Sequence, residues 1–159
     1  MSKTTFTLTE AKKKLEHFCA YQERCHDDVI QKIRLLGIFG KDQDEIIVHL
    51  IDHDFLNEER FACSFARGKH RIKYWGYSRI VNELKLRHIS QRNITTALNE
   101  ITTEEYAATL HFIASRCWEN STEKNSLKKR KKSCDYLLRK GFESNLVYEI
   151  VKQLENNTP

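Results

Sequence analysis

A spacing that recurs three times constrains this chain more than any other feature. Gly37-Ile38, His88-Ile89 and Gly141-Phe142 each end one short amphipathic run and precede another. Ile33, Leu84 and Leu137 stand four residues before Gly37, His88 and Gly141, and Leu50, Ile101 and Leu154 stand twelve residues after the apolar member. Successive copies are offset by 51 and 53 residues. A period of about fifty residues predicts an array of one helical unit, which presents a long surface suited to polymers or other large partners.

The residues between these marks agree with helix. The 159 residues include five glycines and one proline, Pro159, too few breakers for a sandwich or barrel. At 40% apolar and 31% charged, the composition excludes wholesale disorder. The expected fold is all-α: an elongated right-handed-helix array of three tandem three-helix repeats, at residues 9–56, 57–102 (a helix over 57–73 plus a pair over 78–101) and 103–155. Each repeat carries too few apolar residues to fold alone, so stacking is expected to complete the core. Five cysteines with no paired spacing, no signal peptide and no long apolar run predict a soluble, cytoplasmic protein with reduced thiols and no membrane partner. A monomer is expected.

Local signals place the helices. Thr9 reads as the first N-cap, and a second helix runs from about Asp27 to Leu36, where Gly37 supplies a left-handed residue. Asp42-Gln43-Asp44-Glu45 reads as a capping box for a helix over 46–53. Asn57 is the N-cap of the next helix, with Glu58 and Glu59 in its first turn and an end within 69–73. Its inner face is Phe61, Ala62, Phe65 and Ala66. Helices then start at Tyr77-Ser78, at Ser90 and at Thr103, and a final pair spans 128–140 and 144–155.

Charge is unevenly spread along a chain of net charge +5. Residues 42–59 hold seven acidic side chains and no lysine or arginine. Residues 67–92 hold Arg67, Lys69, Arg71, Lys73, Arg79, Lys85, Arg87 and Arg92 against Glu83 alone. Residues 128–140 add Lys128, Lys129, Arg130, Lys131, Lys132, Arg139 and Lys140 against Asp135. One basic and one acidic surface follow. In the first basic stretch Tyr74, Trp75 and Tyr77 lie among the cations, so phosphates or carboxylates could pair there and rings could stack or anchor a partner. An equal reading packs Tyr74 and Trp75 between repeats, with Arg67, Lys69 and Arg71 outward; for 128–132 a plain solvated face is the simpler reading.

Enzymatic chemistry finds little support. His49 and His53 share a helical face, but no glutamate or third ligand stands at a telling spacing, so no metal is expected. Cys63 and Cys134 read as small buried groups rather than nucleophiles. Without a glycine-rich loop there is no nucleotide cradle, and neither catalytic residues nor a cofactor are expected.

The stretch Phe55-Leu56-Asn57-Glu58-Glu59-Arg60-Phe61-Ala62, then Trp75-Gly76 with Arg79-Ile80 and Glu83-Leu84, resembles the RecX family, as does Leu137-Leu138-Arg139-Lys140-Gly141-Phe142. The resemblance covers roughly Ala11 to Leu154. It departs where Asp54 and His88 stand in place of the family's common glycine, and where Asn57 replaces aspartate; Asp54 can still turn left-handed and Asn57 can still cap. The resemblance implies tandem three-helix repeats and a cytoplasmic regulator of DNA repair, recombination and the SOS response. Such a protein binds the RecA recombinase filament in its helical groove and restrains filament growth, strand exchange and ATP hydrolysis. Single- or double-stranded DNA is a further expected partner, and the rival reading is a stand-alone nucleic-acid-binding repeat. On this view Asn57, Arg60, Phe61, Ala62, Phe65, Trp75, Gly76, Gly37 and Gly141 are structural, with Arg60 pairing to Glu58, Glu59 or Asp54. The basic faces around Arg67–Arg79 and Lys128–Arg139 meet the partner.

Overall fold

The computed structural model describes residues 6–159, and among these it contains helices and no strand. In chain order they are α1 (Leu8–Tyr21), α2 (His26–Leu35), α3 (Gly40–Asp52), α4 (Glu58–Lys73), α5 (Tyr77–Leu86), α6 (Gln91–Leu98), α7 (Thr103–Asn120), α8 (Ser126–Arg139) and α9 (Ser144–Asn156). The principal packing pairs fall within consecutive groups of three, with α1 on α3, α4 on α6, and α7 and α8 on α9. The all-helical array of three three-helix units is therefore the fold this chain adopts.

The threefold spacing has a local physical cause. Gly37, His88 and Gly141 all have left-handed backbone, with φ of 80°, 60° and 98°. In each copy the next amide reaches back five residues: Ile38 N–H donates to the Ile33 carbonyl (3.3 Å), Ile89 to Leu84 (3.1 Å) and Phe142 to Leu137 (3.3 Å). These are Schellman ends, in which the apolar residue after the left-handed one folds back against the helix just finished. Ile33, Leu84 and Leu137 are fully buried. Asp54 makes the same kind of end after α3, at φ 62°, with Phe55 N–H donating to the Leu50 carbonyl at 2.8 Å.

Several helix starts differ from the sequence expectation. Thr7, not Thr9, caps α1, accepting from the Glu10 amide at 3.1 Å. The helix α3 begins at Gly40 after Phe39, so the acidic run lies inside it and is not a capping box. Thr102, not Thr103, caps α7 by accepting from the Glu105 amide. At α1 and α7 two threonines stand close together, and the tertiary path decides which of them takes the extended φ/ψ of a cap; α3 starts earlier, at a Phe39 with no side-chain cap bond. Asn57 and Ser90 cap as expected, accepting from the Arg60 (2.9 Å) and Asn93 (3.3 Å) amides.

The core is divided in two. Ala11, Leu15, Val29, Ile33, Ile46 and Leu50 belong to a cluster confined to the first three helices. Phe61, Ala62, Ile80, Leu84, Leu110, Leu137 and Val147 belong to a second cluster shared by α4 through α9. Stacking thus merges the cores of the second and third units, whereas the first keeps its own. Cys25, from the start of α2, joins the shared cluster.

The two junctions use one design. At the first, the start of α2 meets the α5–α6 turn: Asp27 lies 2.7 Å from His88 Nδ1, and nearby Arg60 Nε donates to Glu23 at 2.6 Å. At the second, the start of α5 meets the α8–α9 turn: the Gly76 amide donates to the Lys140 carbonyl at 2.7 Å and the Ser78 amide to the Gly141 carbonyl at 3.0 Å. Charge dominates the first contact and close backbone approach the second.

Candidate partner-binding surface

Helix α4 distributes its cations between two faces. Arg67 and Arg71, four residues apart, are held by carboxylates of the chain: Arg67 by Glu100 at 3.4 Å, and Arg71 by Glu105 at 2.7 Å through Nε with a second bond through Nη2. The guanidinium of Arg71 holds the Glu105 carboxyl below the usual carboxylate range. The sequence places both arginines facing a partner; the α6–α7 connection supplies Arg67 with a counter-charge through Glu100, and the first turn of α7 supplies Arg71 with one through Glu105.

On the other face, cations and rings alternate. Arg87 lies over the Phe65 ring (4.8 Å to its centre), Lys69 between Phe65 (5.5 Å) and Trp75 (5.0 Å), and Arg79 over Trp75 (4.2 Å). The order Arg87–Phe65–Lys69–Trp75–Arg79 forms a ladder along the second unit, drawn from α4, the α4–α5 connection and α5. Each such contact is worth about 0.5–1 kcal/mol at an exposed site, enough to hold the side chains in place without neutralising them. Phe65 and Trp75 are half-buried, so the expected core role holds for Phe61 but not fully for Phe65.

The ladder ends in a crowd of positive charge at the second junction. Lys140 Nζ donates to the Lys73 carbonyl at 2.9 Å, and Arg79 Nη1 to the Arg139 carbonyl at 3.4 Å. Burial, followed by the charges of Arg79 and Lys73, holds the Lys140 ammonium below the ordinary lysine range. Among the described residues no carboxylate forms an ion pair with Lys69, Lys73, Arg79 or Lys140.

The basic stretch at the start of α8 is largely spent within the chain. Arg130 grips Glu155 through two bonds (2.7 and 2.8 Å), Lys131 pairs with Asp135 (2.8 Å) and Lys132 with Glu123 (2.9 Å). Lys129 lies over the Trp118 ring at 4.1 Å. Lys85, Lys128 and Arg139 are exposed and stand apart from the ladder's rings. Arg87 also binds Glu83 at 2.9 Å.

The structural residues take specific places. Arg60 pairs with Asp54 (3.1 Å), as one reading expected, and with Glu23, which sequence did not suggest because it comes from the first unit. Tyr74, at φ 58°, ends α4 in the left-handed conformation that usually falls to glycine. Beneath the ladder, buried His70 donates through Nδ1–H to the Trp75 carbonyl (2.9 Å) and stacks on Tyr106, which stacks on Tyr77 and donates to Glu143 at 2.7 Å. Nothing local in the sequence marks His70 or Tyr106, whose partners lie on other helices.

Chemistry of other kinds has little material here. His49 Nε2 lies 2.7 Å from Glu16, and His53 Nδ1 2.9 Å from the His49 carbonyl. No group of three metal-binding side chains occurs among the described residues. Cys63 and Cys134 are buried, and burial pushes both thiols up, away from nucleophilic thiolate. No helix among the described residues is long and apolar enough to cross a membrane.

The fold and this surface define a helical-repeat protein with a cation–aromatic face. Comparison with known proteins narrows the class. The second three-helix domain of RecX matches residues 57–98, the span that carries the whole ladder. The regulatory protein RecX of Oceanobacillus iheyensis is 23% identical over 149 residues, covering 94% of this chain and 55% of that protein. RecX of Limosilactobacillus reuteri is 22% identical over 143 residues, covering 90% and 54%. The chain thus spans about half the length of the relatives it matches. In fold it is similar to the crystal structure of RecX from Lactobacillus salivarius (TM-score 0.80, 24% identity, 94% and 97% covered) and to a second RecX crystal structure (TM-score 0.81, 22% identity, 92% and 73% covered). Together these findings make the chain similar to RecX regulatory proteins in sequence, through its second three-helix unit above all, and in fold.

Proposed function

We propose that this protein binds the RecA recombinase filament along its helical groove and restrains filament growth, strand exchange and ATP hydrolysis, acting in the cytoplasm in DNA repair and recombination. The observation that carries the reading is the ladder from Arg87 to Arg79, a row of cations held in place and, among the described residues, left without carboxylate partners from Lys69 onward. Such a row suits an acidic protein surface or exposed phosphate, and pre-ordering by the rings lowers the entropy lost on binding. Stacked units add reach. Contact with two filament subunits makes the second contact intramolecular, so modest contacts sum to strong binding. An occupied groove blocks incoming DNA and shifts subunit exchange toward loss.

The test is a titration of RecA ATPase and filament assembly with this protein. Inhibition at sub-stoichiometric amounts is expected, weakening as salt screens the cationic face. Unchanged ATPase and strand exchange at equimolar protein would remove the RecA reading.

A further inference from the structure

The end of α8 sets an amine among other cations. Lys140, the C-cap of α8, is half-buried at the second junction, and its Nζ donates to the Lys73 carbonyl at 2.9 Å. Lys73 closes α4 and Arg79 lies in the first turn of α5, so three helices deliver cations to one place. We propose that Lys140 is an acylation site, its amine taking the acyl group of a small acyl phosphate whose phosphate rests on Lys73 and Arg79.

The amine is held in position from two sides. The Lys73 carbonyl accepts one N–H of Nζ, and the centre of the Tyr136 ring lies 5.7 Å from the same atom. An amine fixed by one N–H keeps its lone pair available once it is deprotonated.

The surrounding charge suits an anionic acyl donor. Lys73 and Arg79 form no ion pair among the described residues. Arg79 is held over the Trp75 ring at 4.2 Å and donates to the Arg139 carbonyl at 3.4 Å. The acidic residues nearest in sequence are engaged elsewhere: Glu143 accepts from the Tyr106 hydroxyl and Asp135 pairs with Lys131. Cations left in this way draw in a small dianion, and an acyl phosphate is one.

The same surroundings make the amine nucleophilic. A desolvated lysine beside further cations loses its proton more readily than an exposed one. The charged and titratable groups around Lys140 are Tyr136 and Arg139 of α8, Lys73 of α4 and Arg79 of α5. Burial first, then Arg79 and Lys73, hold Lys140 below the usual lysine range, whereas the bond to Asp135 raises Lys131.

The step balances simply. The neutral amine attacks the acyl carbon, a C–N bond forms, and the carbon–oxygen bond to phosphate breaks. The electron pair leaves with inorganic phosphate, which takes up the proton that the nitrogen sheds. The product is an amide without charge, so the cluster at the foot of the ladder loses one cation. The reaction concerns this chain alone and stands apart from the RecA reading.

The experiment is incubation of the intact protein with acetyl phosphate, with peptide mass spectrometry following each lysine over time. Lys140 should be acetylated about fivefold or more faster than Lys13 and Lys152, which are exposed and form no ion pair among the described residues. The N-hydroxysuccinimide ester of acetic acid is uncharged and reports access and nucleophilicity alone, so the preference for Lys140 should be smaller with it. Inorganic phosphate should slow only the acetyl phosphate reaction. Arg79→Gln should reduce the acetyl phosphate preference more than the ester preference, with circular dichroism and the urea midpoint reporting its fold. Equal acetyl phosphate rates at Lys140 and Lys152, the same preference with both reagents, or a preference that survives in denaturing urea would each overturn the proposal. These three outcomes are read on the wild-type protein, whatever the stability of the variant. A failed RecA ATPase titration would leave this inference intact.

Discussion

Gly76 and Gly141 meet backbone to backbone across the second junction. A Cβ on Gly76 would overlap the Gly141 carbonyl and fall 2.5 Å from the Phe142 nitrogen, and one on Gly141 would fall 2.5 Å from the Arg79 Cβ. Gly37, the equivalent turn residue of the first unit, has open space around its own Cβ position. The repeated left-handed position therefore serves two purposes: a turn at Gly37, His88 and Gly141, and a steric requirement for glycine at the last of them.

This asymmetry orders three alanine variants. Gly37→Ala should cost roughly 1–2 kcal/mol, the price of a left-handed alanine. Gly141→Ala adds a clash to the same conformational cost and should lose about 1–3 kcal/mol more. Gly76 has an ordinary φ of −82°, so Gly76→Ala isolates the clash. Urea unfolding of the three proteins checks the order; a Gly37→Ala protein less stable than Gly141→Ala would contradict it.

On the proposed RecA reading, the ladder predicts which charge reversals weaken inhibition. Lys69→Glu with Arg79→Glu should raise the concentration needed for half-inhibition of RecA ATPase by about tenfold or more, because both cations lack carboxylate partners. Lys131→Glu, where the wild-type charge already pairs with Asp135, should change it by less than about twofold. Reversing Arg71 would leave Glu105 facing a like charge, so that variant reports on the junction rather than on the partner.

Asn57 and Arg60 should separate local from inter-unit stability. Asn57→Ala removes the acceptor for the Arg60 amide and should lower stability by about 1 kcal/mol, while Asn57→Asp keeps the cap. Arg60→Ala releases Glu23 and Asp54 together. Its effect should appear in hydrogen exchange as faster opening of α1 through α3, whose core is separate, with α7 through α9 unchanged. Uniform acceleration across all helices would count against two independent cores.

High pH should weaken the fold through two buried thiols. Burial pushes Cys19 and Cys25 each up to about 11 from an ordinary 9.0. Because the folded-state values are raised, the stabilisation is complete below about pH 9 and is lost as pH rises towards 11. The urea midpoint should fall across that window, and fall less in a Cys19→Ala/Cys25→Ala protein. In native buffer near neutrality a thiol reagent should label half-buried Cys117 before the four buried cysteines.

The sequence by itself determined the features whose cause is local. The three Schellman ends were visible because a left-handed residue followed by an apolar one, four residues after a buried leucine or isoleucine, is a single-helix requirement. Asn57 was visible as a cap for the same reason. The RecX resemblance likewise rests on short contiguous motifs, and the domain match at residues 57–98 falls on the two around Asn57–Ala62 and Trp75–Leu84.

Tertiary structure alone decided which charges remain available and where the cores divide. Arg67, Lys69 and Arg71 are indistinguishable in sequence, yet Glu100 and Glu105, more than thirty residues away, take two of them and leave the third between Phe65 and Trp75. The same holds for Arg130, claimed by Glu155, and for Lys140, set beside Arg79 and Lys73 from other helices. A cation's availability depends on what the packing sets opposite it. That is a relation between helices, and no spacing along one helix encodes it.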